Sequence, residues 1–307
     1  MTLSTSSAEI LLAETVERID GAYAPSTIRA YRSDFAEFIG FREEEGDQAL
    51  PAEPETLARF ITKLSHSGRT SASIRRAVAG IGTIHRLNRF DDPSKDPDVI
   101  LEMKRMHRKL GRAAHQAQGI TFELLEKLLG ATDETIHGIR NRALLLVAYD
   151  TLCRRSELVS LLIQDVKTTI KDEVEHTTIL LRRSKTDQEA TGRWLHLSER
   201  AQIALRAWLK AVGEKSGPLF RSVTNAQNIT KGLGSSQVNR IYKKTARIAK
   251  LDENLIQRIS GHSCRVGAAQ DLVNSGASMP IIMQKGRWSK TDTVMRYVEH
   301  IMHAALT

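Results

Sequence analysis

Apolar residues recur at helical spacing through most of the first 110 residues. One stripe follows a Pro-Ser pair, a typical helix start, and consists of Ile28, Tyr31, Phe35 and Phe38. A second stripe consists of Ile74, Val78, Ile81 and Ile84. These and similar patterns predict five helices, at about residues 7–19, from 25 to the acidic cluster at 43–45, at 54–65, from 71 to beyond 84, and at 97–110.

The pattern changes after residue 120, where strands join the helices. Segments 174–181 and 192–197 are rich in β-branched and aromatic residues, which predicts two strands joined by a polar hairpin tip at 182–187. Helices are predicted at 122–129, 139–152, 198–212 and 237–250, and residues 213–234 are rich in loop-forming residues. The predicted fold is mainly α with a small antiparallel β-sheet. An all-helical domain (1–115) precedes an α+β domain (116–307), with small and polar residues at 113–119 between them.

The charge balance concerns partners rather than the fold. The chain has 45 Lys and Arg residues against 36 Asp and Glu residues, a formal net charge of +9. Nucleic acid is the first partner that such a balance indicates, and an ordinary solvated basic surface is the alternative. The two cysteines, Cys153 and Cys264, lack metal-site spacing, so neither a metal nor a cofactor is predicted. No apolar run is long enough for a membrane span, and we expect a cytoplasmic protein without a membrane partner.

Basic residues collect on the predicted helices. Residues 104, 105, 108, 109 and 112 are spaced one and three apart, which predicts that all five share one helical face. A phosphate backbone would neutralise such faces, although a charge run is also compatible with solvation alone. The candidate DNA contacts are Arg29, Arg32, Arg75, Arg76, Arg86, Lys104, Arg105, Arg108, Lys109, Arg112, Arg240, Lys243 and Lys244.

Four residues near the carboxyl end suit the binding and attack of a phosphodiester. Arg265 offers a planar fork for two phosphate oxygens, and His262, three residues earlier, can donate a hydrogen bond or move a proton. Trp288 carries one indole N–H donor, and Tyr297 carries an oxygen nucleophile. Each residue alone has an ordinary structural interpretation. Their joint occurrence, in this order, favours a catalytic site.

Three earlier residues extend this set. Arg154 ends a buried apolar segment, and Glu157 follows three residues later. The two can form a structural ion pair, or Arg154 can bind an anion while Glu157 orients it. Lys185, at the hairpin tip, is exposed by default, but it can serve as a general acid if its pKa is lowered.

Four stretches of the chain together resemble the tyrosine recombinases of the phage integrase family. They are residues 148–158 (AYDTLCRRSEL), 183–186 (RSKT), 260–269 (SGHSCRVGAA) and 280–297, which begins PIIMQKGRW and ends VMRY. The family pattern is Arg, Lys, His-x-x-Arg, His or Trp, then Tyr, and every member is present in order. Arg155 is a departure, because family members usually have an apolar residue there. The ten residues after Tyr297 are a second departure, because they form a shorter segment than the terminal helix that docks onto a neighbouring subunit in the family.

The resemblance implies a role for each residue. Tyr297 would attack the scissile phosphate and form a 3′-phosphotyrosyl bond. Arg154 and Arg265 would hold the non-bridging oxygens, with Glu157 supporting them. His262 and Trp288 would hydrogen-bond the phosphate, His262 would assist proton transfer, and Lys185 would protonate the leaving 5′ oxygen.

The resemblance also implies a fold and partners. The expected architecture is a helical core-binding (SAM-like) domain and a catalytic domain that form a C-shaped DNA clamp. The expected partner is double-stranded DNA with a specific inverted-repeat site, bound by a homotetramer that is monomeric in free solution. Strands would be exchanged through a Holliday junction on the nucleoid. With six residues before the first predicted helix, we expect no additional amino-terminal DNA-binding domain. Two alternatives stay open, namely a one-strand topoisomerase-like enzyme and a non-catalytic DNA-binding regulator.

Overall fold

The computed structural model describes residues 7–45, 49–112, 116–184 and 192–305, except for the side chains of 43–45 and 299–305. The chain divides into two compact units, residues 1–115 and 116–307. Each unit has its own apolar core. Within the described residues, no helix is both long enough and apolar enough to cross a membrane.

The described part of the first unit is helical. Its helices are α1 (Ser7–Arg18), α2 (Pro25–Glu45), α3 (Pro54–His66), α4 (Ser71–Leu87) and α5 (Pro97–Leu110). The whole predicted stripe of α4 lies in the core, together with Phe35 and Phe38 from the stripe of α2. Phe38 meets Phe60 of α3 there with ring centroids 5.1 Å apart. The all-helical prediction for this part of the chain is therefore confirmed.

His85 belongs to that core. Its side chain is fully buried in α4, although Arg86, the next residue, is a predicted DNA contact. Its Nε2 accepts a hydrogen bond from the Ala52 backbone N–H (3.0 Å), so Nδ1 carries the proton and donates to the Ile81 carbonyl (2.8 Å). Burial lowers the pKa of His85, because the charged form would lose its hydration.

The second unit combines helices with two small antiparallel sheets. Its first helices and strands are α6 (Phe122–Gly130), α7 (Ile136–Thr151), α8 (Arg155–Ser160), β1 (Val166–Lys171), β2 (Val174–Leu181), β3 (Arg193–His196) and α9 (Glu199–Val212). They are followed by β4 (Arg221–Val223), β5 (Ile229–Gly232), α10 (Ser235–Ile248), α11 (Glu253–Arg258), α12 (Ser263–Asn274), α13 (Met279–Gly286) and α14 (Thr291–Ala305). The predicted fold class is confirmed.

Strands β1, β4 and β5 were not predicted individually. The three-stranded sheet has the order β1-β2-β3, and β4 pairs with β5 in a separate two-stranded sheet. The β1 side chains are exposed at all but the first position, so this strand has no apolar alternation that its sequence could reveal. Strands β4 and β5 have three and four residues, too few to establish a period.

Helix α7 forms the centre of the second core. Residues 143–148 are all buried there, as their almost wholly apolar sequence predicts. Asp271 of α12 connects α7 to α6, since its carboxylate accepts hydrogen bonds from the Tyr149 hydroxyl (2.5 Å) and the Phe122 backbone N–H (2.7 Å). Gly267, one turn earlier in α12, lies directly against the Ile120 carbonyl. These contacts hold α12 and its neighbours close enough to form a site.

Two helical glycines give a matched test of this packing. Gly267→Ala would place a methyl group inside the Ile120 carbonyl, so we expect a loss of about 1–3 kcal/mol of stability from overpacking. A methyl group added by Gly40→Ala, in α2, meets no atom of the described residues within 4 Å, so this change should stabilise the protein by about 0.5–1 kcal/mol through helix propensity. Thermal melts of the two full-length variants should therefore shift in opposite directions. A Gly267→Ala protein that melts like the wild type would contradict the close approach.

Candidate active site

Arg154 and Glu157 follow the carboxyl end of α7. Leu152 has a left-handed backbone (φ 49°), which ends α7 and turns the chain toward α8. Glu157, in the first turn of α8, accepts hydrogen bonds from the Arg154 backbone N–H (Oε2, 3.0 Å) and from Arg154 Nη1 (Oε1, 2.6 Å). The Glu157 side chain is buried, whereas that of Arg154 is 20% exposed. The structural ion pair is thus present, and Arg154 is still accessible to a ligand.

Arg265 is almost fully buried in α12. Its Nη1 donates to the Leu152 carbonyl (2.5 Å) and its Nη2 donates to the Gly286 carbonyl (2.6 Å). The guanidinium carbon lies 4.3 Å from the centre of the Trp288 ring. Burial, together with the positive charges of Arg154 and Arg287, lowers the pKa of Arg265 to about 10. Arg265 is therefore still a cation at neutral pH.

Trp288 and Tyr297 lie side by side in a small apolar cluster. Their ring centroids are 5.7 Å apart, and Trp288 is buried while Tyr297 is partly exposed. Gly286 lies flush against the indole, where any larger side chain would overlap it. Gln270 Nε2 of α12 donates to the Tyr297 carbonyl (3.1 Å) and fastens α14 to α12. No described residue hydrogen-bonds the Tyr297 hydroxyl or the Trp288 indole N–H, so both groups can bind a ligand.

Arg287 is a member of the site that our sequence analysis missed. It ends α13 in a left-handed conformation (φ 56°), and its side chain is 8% exposed. Its Nη2 pairs with Glu157 Oε2 (3.0 Å), and its Nη1 donates to the Thr151 carbonyl (2.9 Å). Neither the spacing nor the neighbours of Arg287 in the sequence distinguish it from the many surface arginines.

His262 lies at the start of α12, beside Arg155. The carbon stem of Arg155 packs against Gly261, and the Arg155 residue as a whole is exposed. This gives Arg155 a physical role, since the apolar stem is covered while the charge stays in water. Partial desolvation, and then the charges of Arg155, Arg265 and Arg154, lower the pKa of His262. Neutral His262 can accept a proton at physiological pH.

These residues form a strongly cationic site. Arg154 and Arg287 bind the buried carboxylate of Glu157, and the positive charges of Arg265 and Arg155 lie nearby. Among the described residues, these four cations and one carboxylate give a net charge of 4 − 1 = +3. Burial raises the pKa of Glu157, but hydrogen bonds from Arg154 and the Arg287 charge lower it overall, so Glu157 is ionised at neutral pH. An anion is the ligand that such a site favours.

Five of the six predicted catalytic residues belong to this one region of the second unit. They are Arg154, His262, Arg265, Trp288 and Tyr297. The sixth, Lys185, lies outside the described residues. Arg154 and Tyr297 are far apart in sequence, but α7 and α14 both contact α12, which brings the two residues into one region.

The predicted basic face of α5 is present with one correction. Lys104, Arg105, Arg108 and Lys109 are exposed on α5. Arg112 is not on that face, because Gly111 (φ 73°) ends the helix before it. Arg105 is paired with Glu102 (3.0 Å), so its charge is partly neutralised within the protein.

The other basic candidates differ in how far they are already paired. Arg29, Arg32, Arg240 and Lys244 are exposed and have no ion pair with a described residue. Arg76 binds the buried Asp34 through two hydrogen bonds of 2.8 Å, and Arg86 pairs with Asp92. Arg75 is half-buried, and Lys243 donates to the Gln257 carbonyl (2.9 Å). Arg76 and Arg86 are therefore weaker candidates for DNA contacts, because their charges are already paired within the protein.

Comparisons with known proteins match both units of the chain. The model described as "Phage integrase family" matches residues 118–303, and that for "Phage integrase, N-terminal SAM-like domain" matches residues 18–88. An integrase/recombinase xerD homolog of Selenomonas ruminantium is 30% identical over 95% of this chain and 86% of that protein. Recombinase cre of Escherichia phage P1 is 30% identical over 82% of this chain and 77% of that protein.

Solved structures share the fold. XerH site-specific recombinase, bound to palindromic difH substrate, aligns with a TM-score of 0.62 and 17% identity over 98% of this chain and 84% of that chain. A lambda integrase (75–356) dimer, bound to a COC′ core site, aligns with a TM-score of 0.63 and 14% identity over 94% of each chain. These identities are low, so the structural likeness concerns the fold alone.

The electrostatic environment of His262 can be tested directly. Arg155→Met keeps an apolar stem against Gly261 and removes one cation, so the pKa of His262 should rise toward its ordinary value. An NMR titration of the imidazole ring protons measures this shift. Arg200→Met, which removes a cation already paired with Glu126 (2.7 Å), is the matched control and should leave the titration unchanged. An unchanged midpoint in Arg155→Met would contradict the assigned charge coupling.

Proposed function

The chain belongs to the phage integrase family of tyrosine recombinases, and we propose that it is a site-specific DNA recombinase whose nucleophile is Tyr297. One observation carries this assignment of the nucleophile. Tyr297 packs against Trp288, and the Trp288 ring contacts the buried Arg265 guanidinium. A tyrosine side chain therefore lies beside a group of cations that can bind an anion. A tyrosine beside cations is suited to attack a phosphodiester, because the cations stabilise the charge that develops on the phosphate oxygens.

The proposed reaction exchanges one phosphoester bond for another. As the bond between the Tyr297 oxygen and phosphorus forms, the bond between phosphorus and the 5′ oxygen of the DNA breaks. His262 takes the tyrosine proton, and Lys185 supplies a proton to the leaving oxygen. The 3′-phosphotyrosyl bond keeps the energy of the original bond, so a 5′ hydroxyl from another strand can reverse the step without ATP. We propose no cofactor for this chemistry.

The arginines would act chiefly through charge and position. Arg154 and Arg265 each have five N–H donors, and the hydrogen bonds described above occupy only some of them. The remaining donors can bind the non-bridging oxygens of the scissile phosphate. Trp288 would add its indole N–H, and Glu157 would keep Arg154 in place.

The exposed cations of both units would bind the DNA backbone. We propose that duplex DNA with an inverted-repeat site is the substrate, that four copies assemble on two duplexes, and that strands pass through a Holliday junction. The reaction would take place on nucleoid DNA in the cytoplasm. The relatives named as recombinases and the structures solved with DNA support this proposal.

A covalent-trapping experiment tests the nucleophile. A binding site is first selected by the wild-type protein from random duplexes, and a nick is placed near the cleavage point so that the released strand diffuses away. We expect a denaturation-resistant protein–DNA adduct with the wild type and none with Tyr297→Phe, because the phenyl ring lacks the attacking oxygen. Tyr23→Phe, at an exposed position in the first unit, is the control and should form the adduct normally. An adduct with Tyr297→Phe would exclude Tyr297 as the nucleophile.

The salt dependence of binding tests the basic faces. Arg108→Gln removes an exposed cation of α5 that has no ion pair with a described residue, so the slope of log K against log[salt] should fall by about 0.9. Arg200→Gln, which removes a cation paired with Glu126, should leave the slope unchanged. Fluorescence anisotropy on the selected duplex measures both slopes. Equal slopes for the wild type and Arg108→Gln would remove Arg108 from the DNA interface.

A further inference from the structure

We propose that Arg287 is a positioning residue, which fixes the orientation of Arg154 through their shared carboxylate, Glu157. The inference rests on the proposed function, since Arg154 is there a ligand of the scissile phosphate. It adds to the site a residue outside the set of six that the sequence motif defines.

The backbone conformation of Arg287 is one that favours glycine. Its φ of 56° and ψ of 48° lie in the left-handed region, which side chains with a Cβ atom rarely adopt. Local preference therefore disfavours arginine at this turn. The contacts of the Arg287 side chain must offset that disfavoured conformation. These contacts are made with Thr151 and Glu157, next to Arg154.

The guanidinium of Arg287 closes the end of α7. Its Nη1 donates to the Thr151 carbonyl (2.9 Å), and its Nη2 lies 3.3 Å from the Leu152 carbonyl. Carbonyl groups in the last turn of a helix have no partner within the helix, and the negative end of the helix dipole favours a cation there. The turn that Arg287 stabilises leads, two residues later, to Arg154.

Glu157 connects Arg287 to Arg154, because its carboxylate binds both residues. One carboxylate oxygen, Oε1, accepts from Arg154 Nη1, and the other, Oε2, accepts from Arg287 Nη2 and from the Arg154 backbone N–H. Both oxygens of the buried carboxylate are thus held. Without Arg287 the carboxylate would lose one of its two guanidinium partners, and it could rotate together with the Arg154 fork.

Arg287 also connects the two ends of the site. It lies between Gly286, whose carbonyl accepts from Arg265, and Trp288, whose ring covers the Arg265 guanidinium. The side chain is 8% exposed, and its Nη atoms already bond to protein groups. Its Nε is buried and has no hydrogen-bond partner in the part of the chain that the structure describes. Arg287 is therefore placed to act through Glu157 rather than on the phosphate itself.

The test compares two substitutions at left-handed positions. Arg287→Gly suits the backbone and removes the guanidinium. Lys250→Gly also suits the backbone, but it removes an ammonium group at an exposed left-handed residue (φ 54°) that follows α10. Both proteins are assayed with the selected nicked duplex, which gives the dissociation constant and the single-turnover rate of adduct formation. We expect Arg287→Gly to bind within about twofold of the wild type and to form the adduct about 10- to 100-fold more slowly, because the Arg154 fork is misplaced. Lys250→Gly should match the wild type in both.

Further variants separate positioning from a purely structural role. Arg287→Lys keeps a cation near Glu157 but lacks the fork that spans Glu157 and Thr151, so it should not restore the rate. In a Glu157→Gln background, Arg287→Gly should reduce the rate of adduct formation by a clearly smaller factor than in the wild type, because Arg287 acts on Arg154 through Glu157. An equal reduction in rate in both backgrounds would overturn the proposal that Arg287 acts through Glu157.

The outcomes distinguish this inference from the proposed function. A wild type that forms the adduct, with an Arg287→Gly variant that is equally fast, overturns the inference and leaves the function in place. Should Arg287→Gly fail to fold, a full rate in Arg287→Lys overturns the inference instead. A wild type that forms no adduct on its selected duplex overturns the proposed function, and the inference with it.

Discussion

The burial of two guanidinium groups is the constraint on which the second unit depends. A buried cation is unfavourable unless it is paired or hydrogen-bonded, and the Nη atoms of Arg265 and Arg287 meet this requirement at the ends of helices. Arg265 donates to the Leu152 and Gly286 carbonyls, and Arg287 donates to the Thr151 carbonyl and to Glu157. The carboxyl ends of α7 and α13 must therefore meet around α12. That meeting brings Arg154 and Trp288 into one site.

The same concentration of charge determines the chemistry. The positive charges of Arg154, Arg265 and Arg287 repel one another, and in the proposed reaction the bound phosphate would relieve this repulsion. Partial burial, and then the charges of Arg155, Arg265 and Arg154, lower the pKa of His262, which favours its neutral form beside these cations. The apolar cluster around Trp288 and Tyr297 places the Tyr297 side chain beside these cations. Under the proposed function, the same contacts would therefore serve both the binding of the phosphate and the attack on it.

The cations of the first unit have several different uses. Arg76 neutralises the buried Asp34, and Arg86 holds Asp92, so both stabilise the fold whether or not DNA is present. Arg29, Arg32, Arg108 and Lys109 are exposed and have no such partner among the described residues. A count of basic residues therefore overstates the charge that is available to a nucleic acid. The free cations on α2 and α5 are the ones that can contribute to salt-dependent binding.

The sequence by itself determined the helical order of the first unit, the apolar centre of α7 and the residues that the family motif names. Each of these features can be read from neighbouring residues, either from a 3.6-residue apolar period or from residue types at fixed spacing. Only the tertiary structure placed His85 in the core, paired Arg76 with Asp34 and brought Arg287 to Glu157, 130 residues away. It also packed Arg155 against Gly261 and left Arg112 beyond the end of α5. The physical reason is that the role of a charged residue depends on what surrounds it, and for these residues the partners come from distant parts of the chain.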